Sequence, residues 1–82
     1  MDKILVTIYV LSLEQEYDVL LPINLDMKEA LDLIQKTIKE LSSDVYEINT
    51  SALLYNESGK LINTNTNVRF SGLTNGCKIL LK

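Results

Sequence analysis

The sequence predicts an α+β fold in which one helix lies on one face of a mixed four- to five-stranded sheet. Two neighbouring stretches alternate apolar and polar residues across a short polar link, the signature of a hairpin. One later stretch places its apolar residues at helical spacing, and a last alternating stretch, "CKILLK", occupies residues 77–82. Runs of strands around a single helix favour two layers, because a sheet face and a helix stripe must each find apolar cover.

The first stretch, "KILVTIYV" (3–10), sets Ile4, Val6, Ile8 and Val10 on one side and Lys3, Leu5, Thr7 and Tyr9 on the other. "LSLEQ" (11–15) interrupts it, and "EYDVLL" (16–21) resumes with Tyr17, Val19 and Leu21 inward and Glu16, Asp18 and Leu20 outward. Pro22 ends this second strand, since proline has no N–H for a ladder. Asp26 then stands as an N-cap with Glu29 three residues on, the spacing of a capping box. Met27, Ala30, Leu31, Ile34, Ile38 and Leu41 form one apolar stripe, so a helix is expected over about 26–42. Lys28, Asp32, Gln35, Lys36, Lys39 and Glu40 fill its other faces, and Asp32 and Lys36 make a favourable i,i+4 pair.

Beyond the helix, "DVYEINTS" (44–51) reads as a loop with Val45, Tyr46 or Ile48 plugging an edge of the core. "ALLYN" (52–56) reads as a strand with Leu53 inward and Leu54 outward, "ESGK" as a turn and "KLIN" (60–63) as a short return strand. Val68 and Leu73 are apolar anchors, and "LTNG" (73–76) is a turn whose Gly76 accommodates positive φ. In "CKILL" (77–81), Cys77, Ile79 and Leu81 face one way and Lys78 and Leu80 the other. This last strand is expected at the centre of the sheet, parallel to the first, because the long intervening chain supplies the crossover that a parallel pair needs.

Composition narrows the function. The 82 residues allow one small domain, expected to span 1–82. A net charge of −3, with a single arginine among eight cations, is a poor toolkit for reading phosphates or bases, so no nucleic-acid partner is expected. The chain has no histidine and one cysteine, Cys77, which removes the commonest general base and any internal disulfide or cysteine metal cluster. There is no continuous apolar run of secretory or membrane-spanning length, so a cytoplasmic chain without membrane insertion is expected.

The N-terminal hairpin, the "DMKEALDLIQKTIKEL" helix and the "LLYNESGKLINTNTNVRFSGLTNGCKILLK" segment resemble, in order and spacing, the ubiquitin-like or β-grasp family. Conjugated members and sulfur carriers end in an exposed Gly-Gly, whose bare backbone threads a narrow enzyme channel. Here the sequence ends at Leu81-Lys82, within the expected strand, so unless a longer precursor exists conjugation and sulfur carriage are excluded; a small sulfur carrier or modifier is the alternative reading. The alternating start, the short hairpin and the "LTNGCKILL" ending are similar to the YukD/EsaB family of type VII (WXG100, Esx) secretion systems. That resemblance implies a non-catalytic accessory or regulatory subunit, a monomer or weak dimer without cofactor. It would be cytoplasmic, peripheral to a membrane secretion complex, and would contact the membrane components or their ATPase.

With one sheet face under the helix, alternation leaves Leu5, Leu20, Leu54 and Leu80 outward, where they are expected to form a row across the sheet and to bind a protein partner. An apolar patch of that extent usually marks an interaction site, and Leu54→Glu and Leu80→Glu are expected to weaken binding while leaving the fold intact. A one-residue register slip would undo this placement. The other polar clusters read as structural. Lys60 is a solvated turn residue, Cys77 a small buried apolar side chain, and Asp26 and Glu29 a helix cap. "NTNTN" (63–67) has too little charge for calcium, and "ESGK" lacks the remaining glycines and the Ser/Thr of a phosphate loop. No catalytic or metal-ligating residues are expected.

Overall fold

The computed structural model describes residues 2–82. In chain order it contains β1 (Lys3–Val10), β2 (Gln15–Pro22), α1 (Met27–Leu41), β3 (Leu54–Tyr55), a single 3-10 turn (Val68–Phe70) and β4 (Cys77–Leu81). The sheet order is β2-β1-β4-β3, with β1 antiparallel to β2, β4 parallel to β1, and β3 antiparallel to β4. The last strand is therefore internal and parallel to the first, as expected from the long intervening crossover.

The hairpin pairs along its whole length, from Lys3 opposite Pro22 to Val10 opposite Gln15. Its turn closes through Leu13 N–H to the Val10 carbonyl at 3.2 Å, with Glu14 in the left-handed region at φ 52°. Pro22 is tolerated because it is the last residue of an edge strand. Ile4, Val6, Ile8, Val10, Val19 and Leu21 are buried and meet Met27, Ala30, Ile34 and Ile38 of α1. Each large aliphatic so covered contributes about 1.5–3 kcal/mol relative to exposure. The exposed Asp32–Lys36 pair forms at 2.9 Å.

Two features of the helix differ from expectation. Asp26 occupies the N-cap position, but its side chain makes no capping bond. The 63–67 segment crosses the helix start instead and supplies a main-chain acceptor, Met27 N–H donating to the Thr66 carbonyl at 2.8 Å. Gln35, expected on a polar face, is 4% exposed. The 44–51 loop folds back over this flank, and Gln35 Oε1 accepts from both the Tyr46 hydroxyl and the Asn49 N–H at 2.8 Å. Tyr46 is thus the residue that plugs the core edge, while Val45 and Ile48 stay exposed. The loop can turn here because Ser43 and Asp44 adopt φ 55° and 67°, carrying Asp44 N–H back to the Lys39 carbonyl at 2.8 Å.

The "ALLYN" strand is shorter than expected and its register is the reverse. Leu54 lies opposite Leu81, and directly opposed residues of an antiparallel pair share a face. Because Leu81 faces the helix, Leu54 does too, at 1% exposure, while Leu53 is 43% exposed. Leu53 and Lys82 exchange both main-chain bonds, at 3.1 and 2.9 Å, which locks this register. The expected return strand reduces to a bridge between Tyr55 and Leu61, with Ile62 N–H on the Leu54 carbonyl at 2.8 Å, so the sheet has four strands. At the 73–76 turn, Gly76 has φ 86°; its N–H reaches the Leu5 carbonyl at 2.7 Å, and Asn75 Oδ1 accepts from Leu5 N–H at 2.8 Å. These two bonds set where β4 begins against β1.

Candidate protein-interaction face

The helix covers one side of the sheet, so alternate strand residues present the other side to solvent. Leu5 on β1 and Leu20 on β2 are direct cross-strand partners, 38% and 57% exposed. Leu80 on β4 lies opposite Tyr9 of β1 on one flank and Tyr55 of β3 on the other, all three half-buried. Between these two apolar groups runs a polar row, Asp18, Thr7 and Lys78, in which the Thr7 hydroxyl donates to Asp18 Oδ1 at 2.8 Å.

The predicted row of four leucines is therefore not continuous. Leu54 is corrected to the core, for the register reason given above. Leu80 does not adjoin Leu5, because the parallel register sets Val6 against Cys77 and leaves only turn residues opposite Leu5. Sequence reasoning missed Tyr9 and Tyr55 as members of the face. Tyr9 had the right parity in the first strand, and Tyr55 would have followed once Leu54 was turned inward.

Charge is unevenly spread over this face. β2 contributes Glu16 and Asp18, the start of β1 contributes Lys3, and β4 and the residue after it contribute Lys78 and Lys82. The Lys82 ammonium stands 5.6 Å from the centroid of the Tyr55 ring, within cation–π range. The Glu57 carboxylate accepts from Lys78 N–H at 3.1 Å, where the two-residue β3 no longer reaches.

The remaining polar side chains serve the fold. Asn56 Oδ1 accepts from the N–H groups of Ser58 and Lys60, and Asn63 Oδ1 and Asn67 Oδ1 accept from Asn65 and Phe70 N–H. The asparagines of "NTNTN" thus tie their own loop together. Cys77 is half-buried on the helix side of β4. Burial pushes the Tyr46 phenol above its ordinary pKa. Among the described residues, no three His, Cys, Asp or Glu side chains are grouped to hold a metal ion. An open groove of about 670 Å3 between the hairpin turn and the 45–50 loop has Tyr46, Glu47 and Lys82 as its titratable groups. None of the described helices is long and apolar enough to cross a membrane.

A helix on a mixed β2-β1-β4-β3 sheet with one uncovered face defines a ubiquitin-like fold, and solved structures bear this out. The ubiquitin-like domain of the Mycobacterium tuberculosis type VII secretion system protein EccD1 matches with a TM-score of 0.73 and 16% identity, over 99% of this chain and 98% of that one. A structure described as molecular mimicry of SUMO that promotes DNA repair matches at 0.80 and 12% identity, over 100% and 92%. A chain of an ESX-5 inner membrane complex matches at 0.68 and 13% identity, with 100% of this chain covering 21% of that one. No protein-family model and no curated protein matches the chain.

Proposed function

We propose that this chain, as a single ubiquitin-like domain over residues 1–82, is a non-catalytic interaction module. It serves as a cytoplasmic accessory or regulatory component of a bacterial type VII secretion system, in the manner of the YukD/EsaB family. The observation that carries the interaction role is the uncovered sheet face, where Leu5 and Leu20 at one end and Tyr9, Leu80 and Tyr55 at the other offer apolar surface on a rigid scaffold. The secretion assignment is supported by the likeness to the EccD1 ubiquitin-like domain, which extends over nearly the whole of both chains. Its partners are the membrane components of the machine or their ATPase, and it needs no cofactor.

The test is genetic complementation in the native host. Deleting the chain is expected to reduce export of WXG100 substrates, and the wild-type chain to restore it. Leu80→Glu, folded by circular dichroism, is expected not to restore it. Undiminished export in the deletion strain refutes the secretion role, and full rescue by Leu80→Glu refutes the face.

A further inference from the structure

A reactive pair of residues stands where β4 begins. The chain has seven asparagines, and only Asn75 is followed by glycine; the others precede Leu, Thr, Glu or Val. An asparagine side-chain amide is open to attack by the main-chain nitrogen of the next residue, and glycine alone leaves that nitrogen without a side chain beside it. Asn75 and Gly76 are both exposed. No atom lies within 4 Å of where a Cβ on Gly76 would stand, so water reaches the turn. Cys77 N–H closes this turn on the Thr74 carbonyl at 3.1 Å, and of its two central residues only Gly76 has positive φ, 86°, the form of a type II turn.

We propose that Asn75–Gly76 is a self-modification site, at which Asn75 is converted to aspartate or isoaspartate at a rate set by Leu5. The Gly76 nitrogen gives up its proton and bonds to Cγ of Asn75. The Cγ–Nδ2 bond breaks, and Nδ2 leaves with a proton as ammonia. A five-membered imide remains, and water opens it. Breaking the bond from nitrogen to Cγ gives aspartate on the original main chain. Breaking the bond from nitrogen to the Asn75 carbonyl carbon gives isoaspartate, whose main chain runs through Cβ and Cγ. One water enters, one ammonia departs, and nothing is oxidised or reduced.

Leu5 obstructs both demands of the first step. Its carbonyl accepts from Gly76 N–H at 2.7 Å, and its N–H anchors Asn75 Oδ1 at 2.8 Å. The nitrogen keeps its proton while it donates, and Cγ cannot turn its face to that nitrogen while Oδ1 is held. The reaction therefore waits for an opening that releases both bonds, and two bonds of ordinary strength slow it about tenfold or more. The products then part company. Aspartate keeps an oxygen for Leu5 N–H at the same spacing from Gly76 N–H, so Cys77 still falls opposite Val6. Isoaspartate adds a carbon to the main chain and takes one from the side chain, so the two groups no longer reach the Leu5 peptide together. That contact sets the register of an internal strand, and the isoaspartate form is accordingly the less stable.

Parallel incubations of the purified chain at mildly alkaline pH, in buffer and in denaturing guanidinium chloride, test this. Intact mass follows the conversion of amide to acid, and electron-transfer fragmentation assigns its position and tells isoaspartate from aspartate. The denatured chain is expected to react first at Asn75, with the other six asparagines as internal controls. The folded chain is expected to react there about tenfold or more slowly, by the factor that Gly76 amide exchange gives for opening. Each conversion adds a negative charge, so ion exchange isolates the products. The isoaspartate form is expected to unfold at lower urea than Asn75→Asp, which is expected to match the wild type. Equal rates in the two conditions, earlier reaction at another asparagine, a slowing unrelated to Gly76 exchange, or an isoaspartate form as stable as Asn75→Asp overturns the proposal.

Discussion

The inward turn of Leu54 is open to a direct energetic test, since its neighbour Leu53 differs in little but parity. Truncating Leu54 to alanine removes three buried carbons, which at ~0.8 kcal/mol each is about 2.4 kcal/mol of transfer free energy. The side chain is 1% exposed and packs in the main cluster, so a residual cavity raises the cost to about 3 kcal/mol or more. Leu53→Ala, at 43% exposure and with no enclosed cavity left behind, costs about 1 kcal/mol. For 82 residues the whole fold is worth roughly 4–12 kcal/mol, so the first change removes a large share of it. With a urea slope of about 1 kcal/mol per molar, the unfolding midpoint falls by about 3 M for Leu54→Ala and about 1 M for Leu53→Ala. Equilibrium urea titration followed by far-ultraviolet circular dichroism reads both. Equal losses, or a larger loss at Leu53, would show that the strand sits in the opposite register.

Three further outcomes follow from the loop that closes over α1. Gln35→Leu strands the Asn49 N–H and the Tyr46 hydroxyl, so stability drops by about 2 kcal/mol and the Asn49 amide exchanges faster with deuterium. Ser43→Gly relieves a left-handed serine at φ 55° and raises stability by about 0.5–1 kcal/mol in the same urea titration. The Tyr46 phenol holds its proton above the ordinary value of 10.0 because it is buried, whereas the unfolded chain releases it there. Its contribution is therefore fully present below pH 10.0 and is lost as pH climbs from that value through the raised one; Tyr46→Phe is expected to flatten this part of the alkaline stability profile.

Much of this architecture is legible in the sequence, because period and parity are local. Ile4 to Val10 and Val19 to Leu21 declare their buried side by alternation, and Met27 to Ile38 by helical spacing. The pair of adjacent leucines at 53 and 54 offers no such signal, since either parity buries one and exposes the other. Only the pairing of Leu54 with Leu81 chooses between them. The candidate face inherits that ambiguity. Leu5 and Leu20 are placed correctly from sequence, Leu54 is not, and Leu80 has the right side but the wrong neighbours.

Residue order alone determined that a hairpin, one amphipathic helix and an inward-alternating last strand would share a core, since each declares its buried side within a few residues. Tertiary structure decided what depends on distant chain meeting it. The Thr66 carbonyl took the Met27 N–H at the helix start, and the 44–51 loop gave Gln35 buried partners. The parallel register of β4 broke a row of leucines into two patches divided by Asp18, Thr7 and Lys78. Hydrogen-bonding partners and strand register are properties of pairs of segments, and no periodicity within one segment encodes them.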